Sequence, residues 1–203
     1  RNQYILFIAK SGSGKEGMAK STTNLLAATR PNVPMVTDFM GPSAFASGQG
    51  LIRTLDQKPC FVSLLGEFGL QLQALTDPRA PAATVILRKV LLDLYGKSGW
   101  DDVLQSTAYS DVEKNTKMIA APAVTILGES TPETFYDGLD AGDIADGLVP
   151  RFHIIEYKGE RPDKNPHAGH QPSPELVRAF ADLAALAGTC ADNHTCAAAQ
   201  PET

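Results

Sequence analysis

Cysteine is scarce in this chain, at three residues among 203. So few thiols, and an odd number of them, exclude a disulfide framework and suit a reducing compartment. Cys60 lies in an apolar run and is expected to be a buried thiol. Long apolar runs are also missing. None reaches the ~18 residues that a membrane-spanning helix needs, and the six apolar residues from Tyr4 to Ala9 are too few for a secretory signal. The expectation is therefore a cytoplasmic protein with no membrane partner. Excess basic charge is lacking as well: 18 Lys+Arg stand against 23 Asp+Glu, a formal charge of −5. That balance excludes a protein that coats nucleic acid by bulk electrostatics, so any DNA contact must come from local geometry.

The remaining composition is that of an ordinary globular domain, with 43% hydrophobic and 20% charged residues. At about 150 residues per domain, the length allows one full domain and an appendage. Such a chain buries roughly 70% of its unfolded surface, so its core needs no structural metal. A short β-branched and aromatic run at residues 4–8 reads as a buried strand, and Ser11-Gly12-Ser13-Gly14 stops it. A helix is expected over residues 15–29, ended by Pro31 and Pro34. Further strands are expected at residues 33–39, 60–65, 123–127 and 152–157, and further helices at 47–55, 81–95 and 174–187. Strands alternating with helices predict an α/β fold with a mostly parallel sheet. The predicted organisation is a core over residues 1–158, a Pro-rich linker over 159–174, and a C-terminal helix with a frayed tail over 175–203.

The chemistry concentrates at the first strand–helix junction. Ala9-Lys10-Ser11-Gly12-Ser13-Gly14-Lys15-Glu16 has the spacing of a phosphate-binding loop, with Ala in the first glycine position and Glu in place of the usual Ser or Thr. The glycines let backbone N–H groups of residues 11–16 turn inward around an anion, the next helix adds its positive end, and Lys15 reaches the β- and γ-phosphates of ATP. Glu16 replaces the hydroxyl that ordinarily ligates Mg²⁺, so it becomes the candidate metal ligand, directly or through water.

A second apolar run, 61–65, ends in Gly66-Glu67. It has the form of an acidic strand end in which the metal-binding aspartate is missing but Glu67 stays available to polarise an attacking water. Residues 124–127 run into Gly128-Glu129-Ser130-Thr131-Pro132. Ser130 or Thr131 is placed there to sense a γ-phosphate, and the same residues are equally good as a helix cap. Arg151, just before the last strand, is the candidate arginine finger acting on a neighbouring subunit; the plain alternative is a surface ion pair. The segment 96–117 mixes Trp100 and Tyr109 with three lysines and four carboxylates, a weak candidate surface for single-stranded bases. His167, His170, Cys190, His194 and Cys196 fit no standard zinc spacing and are expected to belong to a solvated tail.

Taken in order, the blocks 11–16, 47–51, 66–69, 91–95, 127–135 and 145–152 resemble a family of phage- and prophage-encoded helicase-like P-loop ATPases associated with DNA primases. The resemblance implies a three-layer RecA-like core that binds ATP with Mg²⁺ and hydrolyses it. It also implies a homo-oligomer, with a hexameric ring as one form, acting on single-stranded DNA during replication in a bacterial host cell. On that likeness Lys15, Glu67 and Arg151 are catalytic, and Ser130 or Thr131 is the sensor. Two other readings stand beside it: a nucleotide-binding switch that moves the 96–117 loop with little or no hydrolysis, and a small-molecule kinase, disfavoured for want of a lid-like arginine cluster.

Overall fold

The computed structural model describes residues 2–108, 115–137, 139, 147–163 and 169–188. Tyr109 and the carboxylates and lysine at 111–114, the residues 140–146 that begin the last family-like block, and His167, Cys190, His194 and Cys196 lie outside the described residues.

The chain runs through β1 (Gln3–Ile8), α1 (Glu16–Thr29), a 3₁₀ helix (Pro34–Phe39), α2 (Gly48–Gln57), β2 (Cys60–Leu65), α3 (Phe68–Thr76) and α4 (Ala82–Tyr95). It continues with β3 (Val103–Leu104), β4 (Ile119–Ala120), β5 (Ala123–Ser130), α5 (Pro132–Tyr136), a 3₁₀ turn (Val149–Arg151), β6 (Phe152–Glu156) and α6 (Pro174–Gly188). Four strands form a sheet in the order β2-β5-β1-β6, and all three pairings are parallel. β3 and β4 make a separate antiparallel pair. The expected α/β class with a parallel sheet is therefore what the chain forms. No helix among the described residues is long and apolar enough to cross a membrane.

Alternation along the strands explains the core. Tyr4, Leu6 and Ile8 of β1, Phe61 and Leu65 of β2, and Val124 and Ile126 of β5 are buried together with Phe68, Leu72, Leu75, Leu91 and Leu94 of α3 and α4. Burying side chains of this size is worth roughly 1.5–3 kcal/mol each, which fixes this face of the sheet against its helices. The alternate residues of these strands, such as Ile5, Val62 and Leu127, are only half-buried. Leu26 of α1, Val36 of the 3₁₀ helix and Ala184 of α6 form a second, smaller cluster with Phe180 beside it. The C-terminal helix thus packs on α1 instead of extending away from the core.

Two expectations are corrected here. The strand predicted at 33–39 is the 3₁₀ helix, with Pro34 in its first turn, where the missing N–H costs nothing. Its end still meets the sheet, since Met40 bridges Val62 in parallel and the Gly41 N–H donates to the Val62 carbonyl at 2.8 Å. Cys60, expected to be buried, is an exposed free thiol because it opens β2 at the sheet's end. The short helix α3 was not among the expected elements, whereas α5 starts at the helix cap read as one of the two roles of Ser130 and Thr131. α3 follows β2 after only two residues, and the strong apolar run of β2 masks its onset.

Candidate functional site

Parallel pairing sends every strand the same way, so the ends of β1, β2, β5 and β6 share one edge. Ile8 lies opposite Ser130 and Glu156, and Leu65 opposite Gly128. In open parallel sheets ligands bind outside this carboxyl edge, where crossovers leave a crevice. The order of strands creates such a place: β5, which comes late in the chain, is inserted between β1 and β2. The glycine loop after β1 and the Gly66-Glu67 turn after β2 therefore flank the tip of β5.

The loop is built as an anion nest. Gly12 and Gly14 adopt left-handed conformations, φ 77° and 85°, on either side of Ser13. Only glycine enters that region without a steric penalty. Ser13 folds the loop back on itself, donating both its N–H (3.2 Å) and its hydroxyl (2.7 Å) to the Lys10 carbonyl. The N–H groups of Ser11, Gly12, Gly14 and Lys15 find no acceptor among the described residues. Those orphan donors lead directly into α1, whose first residue is Glu16 and whose N-cap, Lys15, supplies no side-chain cap. Unpaired amides and a helix N-terminus make an electropositive concavity.

Lys15 adds a full charge. Its Nζ is buried and has no hydrogen-bond partner among the described residues. A buried ammonium with no partner is costly, and an anion is the kind of group that would offset that cost. One carboxylate coupled to Lys15 is a residue that sequence reasoning missed. Glu129, the second-to-last residue of β5, is buried at 7% exposure. Burial pushes its carboxyl above the ordinary carboxylate range; Lys15 pulls it back down, and Glu16 and Glu67 push it further up. Lys15, Glu16, Glu67 and Glu129 are thus one electrostatic group. The available signal was alternation: Val124, Ile126, Gly128 and Ser130 face one side of the sheet, so Glu129 must face the other.

Glu67 is exposed and caps α3 in a left-handed conformation, φ 50° and ψ 34°. A non-glycine residue there is uncommon, and such strain clusters at functional sites. Beside it Gly66 has open space where a side chain would stand. Glu16 is exposed in the first turn of α1.

Ser130 meets the base of the loop through its backbone, its carbonyl accepting from the Ala9 N–H at 3.2 Å, but among the described residues no side chain of Ser130, Thr131 or Arg151 bonds to the loop. Ser130 is fully buried, donates to the Thr131 carbonyl at 3.1 Å, and lies against Gly69 of α3 on the opposite face from Glu129. Thr131 caps α5, accepting from the Thr134 N–H at 3.3 Å and donating to the Thr134 hydroxyl at 2.9 Å. Of the two roles read for this pair, the cap is seen in Thr131. Arg151 precedes β6 and so sits at the opposite, amino edge of the sheet. There its Nη1 donates to the Gly147 carbonyl at 2.6 Å, and its guanidinium stacks 5.7 Å from the Tyr95 ring centre. The described part of the 96–117 segment is also at the amino edge: Ser98 Oγ accepts from the Asn2 N–H at 3.1 Å, and Lys97 donates to the Val103 carbonyl at 2.9 Å. Trp100 is exposed there, and Lys117 faces Asp56 at 4.0 Å.

No family model, curated protein or solved structure matches the chain.

Proposed function

We propose that the chain is a P-loop ATPase domain, RecA-like in layout, that binds a nucleoside triphosphate in the loop after β1. The observation that carries this reading is the buried Nζ of Lys15, without a hydrogen-bond partner among the described residues, in a loop where the N–H groups of Ser11, Gly12, Gly14 and Lys15 likewise find no acceptor. A triphosphate satisfies both at once, as charge-assisted bonds from an ammonium and a nest of amides. The placement of β5 between the loop strand and the acidic strand supports the additional-strand form of the reading.

Hydrolysis then divides among the chain's own groups. The loop amides and Lys15 hold the β- and γ-phosphates and stabilise charge gathering on their oxygens. Glu67, unpaired at the mouth of the crevice, accepts the proton of a water that attacks the γ-phosphorus. The bond from that phosphorus to the bridging oxygen breaks, and the diphosphate leaves. Glu129, buried beside Lys15, balances the ammonium while no phosphate is bound. A divalent cation fits this donor set only through few protein ligands. No three His, Cys, Asp or Glu side chains converge on a metal position among the described residues, but Mg²⁺ commonly uses one or two carboxylates together with phosphate oxygens and water. Glu16 would hold it, and when bound it would neutralise phosphate charge.

The wider reading of an oligomeric motor on single-stranded DNA rests on the resemblance of the sequence blocks. A second reading, binding without productive turnover, is favoured by one observation. Gly66 leaves open space where a metal-binding carboxylate would stand next to Glu67.

One assay addresses these readings: phosphate release with Mg²⁺ across protein concentration, with and without single-stranded DNA. Lys15→Ala is expected to abolish both ATP binding and release, and Glu67→Gln to keep binding while losing about 10²-fold or more in rate. Wild type binding no ATP would end the proposal. Binding without release would select the switch, and a fully active Glu67→Gln would remove Glu67 as the base.

A further inference from the structure

Beyond β6 the chain does not leave the carboxyl edge but folds back over it. The Tyr157 N–H donates to the Ile8 carbonyl at 2.8 Å, prolonging the β1–β6 pairing by one residue, right where the glycine loop begins. The Tyr157 hydroxyl then donates to the Glu160 carbonyl at 2.9 Å and closes a tight turn through Lys158 and Gly159. A methyl group on Gly159 would overlap the Tyr157 ring, so a larger residue there would push that ring aside. Glu156, below the turn, is tied by the Tyr136 hydroxyl at 2.9 Å and by Lys158 at 3.2 Å.

The turn delivers Arg161 onto the phosphate loop. A methyl group on Gly12 would lie 3.4 Å from Cζ, 3.5 Å from Nε and 3.6 Å from Nη1 of Arg161, so the guanidinium covers that glycine at van der Waals distance. Arg161 is exposed, and it has neither a hydrogen bond nor an ion pair among the described residues. A guanidinium cannot lose its charge in a protein and offers five donors in a planar fork that matches phosphate oxygens. Here one is held by its own chain against a loop that already presents Lys15 and unpaired amides.

We propose that Arg161 is a second phosphate ligand of this site, acting in cis on the phosphate chain of the bound nucleotide. This role differs from the one read for Arg151, a finger acting on a neighbouring subunit, because Arg161 acts within its own chain. The inference rests on the nucleotide reading of the loop and adds to it the residue that reads the phosphate chain as opposed to the base. The side chain is exposed, so its removal leaves the core untouched and the variant is expected to fold and melt like wild type.

The test is equilibrium binding of ATP, inorganic tripolyphosphate and adenosine to wild type, Arg161→Ala, Arg161→Lys and Lys15→Ala, by titration calorimetry. Loss of one charge-assisted phosphate contact is expected to weaken ATP and tripolyphosphate about 10- to 100-fold in Arg161→Ala. Arg161→Lys should recover part of that loss, since it keeps the charge but not the fork, and adenosine binding should be indifferent to all of them. Unchanged ATP and tripolyphosphate affinity in Arg161→Ala overturns the inference. So does tighter binding, which would make the guanidinium a plug over the loop, or a loss carried by adenosine, which would make it a base contact. If wild type binds and Lys15→Ala does not, any of these results leaves the nucleotide reading standing. If wild type binds neither ATP nor tripolyphosphate, both fall together.

Discussion

The two ends of the β-sheet are built on opposite principles. At the amino edge the buried polar groups Asn2 and Tyr4 both have hydrogen-bond partners. Asn2 is buried, receives the Val124 N–H at 2.5 Å on its Oδ1, and donates through its Nδ2 to the Leu94 carbonyl. The Tyr4 hydroxyl donates to the Leu91 carbonyl at 2.8 Å, and its ring packs 5.3 Å from both Tyr95 and Phe152. Burial holds the Tyr4 phenol protonated far above its ordinary range, and the positive charge of Arg151 offsets only part of that. At the carboxyl edge, 4–5 residues along the same strands, amides lack acceptors, an ammonium lacks a partner, a carboxylate is buried beside it, and Glu67 holds a strained backbone. Buried polar groups are normally satisfied. One end of the sheet obeys that rule as structure, and the other departs from it where a ligand can complete it.

The largest expected effect breaks the satisfied end. Tyr4→Ala removes a fully buried ring and its hydroxyl bond, and should cost about 3–5 kcal/mol in urea denaturation. ATP affinity of the folded fraction should stay at the wild-type value, because the cavity opens at the far edge. A parallel loss of affinity under conditions where the variant is fully folded would show that the two ends are not independent.

The unsatisfied end has the reverse signature, and its pH dependence is the sharper probe. The Glu129 carboxyl is raised in the folded chain, first by burial, so the folded state binds more protons than the unfolded state above the ordinary carboxyl pKa of 4.5. Stability linked to this group is therefore greatest at and below that pH and falls as pH rises toward and through the folded value. Glu129→Gln should flatten this fall and raise the midpoint of thermal unfolding at pH 7 relative to pH 4.5. A wild-type profile in which Glu129 instead adds stability with rising pH would mean that Lys15 outweighs burial, and the pair would then be a closed ion pair, not a waiting site.

Much of this contrast was legible in the chain itself, and the rest was hidden for identifiable reasons. The spacing of Gly12, Gly14 and Lys15 after an apolar run announces a nest, because strand, turn and helix signals are all local. The separation of Lys15 from Arg151 is not local. It follows from strand direction and from β5 lying between β1 and β2, which no windowed pattern contains. Glu129 was overlooked because Ser130, Thr131 and Pro132 around it give a strong helix-start signal, and only the twofold alternation of β5 turns its side chain toward Lys15. Arg161 lies in a stretch whose prolines read as linker. Its position depends on the Tyr157–Ile8 hydrogen bond, a contact across 149 residues of sequence.

The smallest expected effect tests whether an unpaired buried polar atom means function at all. Besides Lys15 Nζ, the hydroxyl of Ser63 is buried without a partner among the described residues. It lies mid-strand in β2, pressed against Gly41, where a methyl group would come within 2.5 Å of its Oγ. There is no room at that point for an anion, and a neutral hydroxyl without a partner carries only its desolvation cost. Ser63→Ala should therefore leave ATP binding unchanged and raise stability by up to about 1 kcal/mol, read as a higher urea midpoint at constant slope. A fall in stability would reveal a bond made by that hydroxyl and remove it from comparison with Lys15. If the expected small gain is found, two orphans in one sheet separate by physics: the crowded, neutral one is a packing imperfection, and the charged one beneath an open loop is a site.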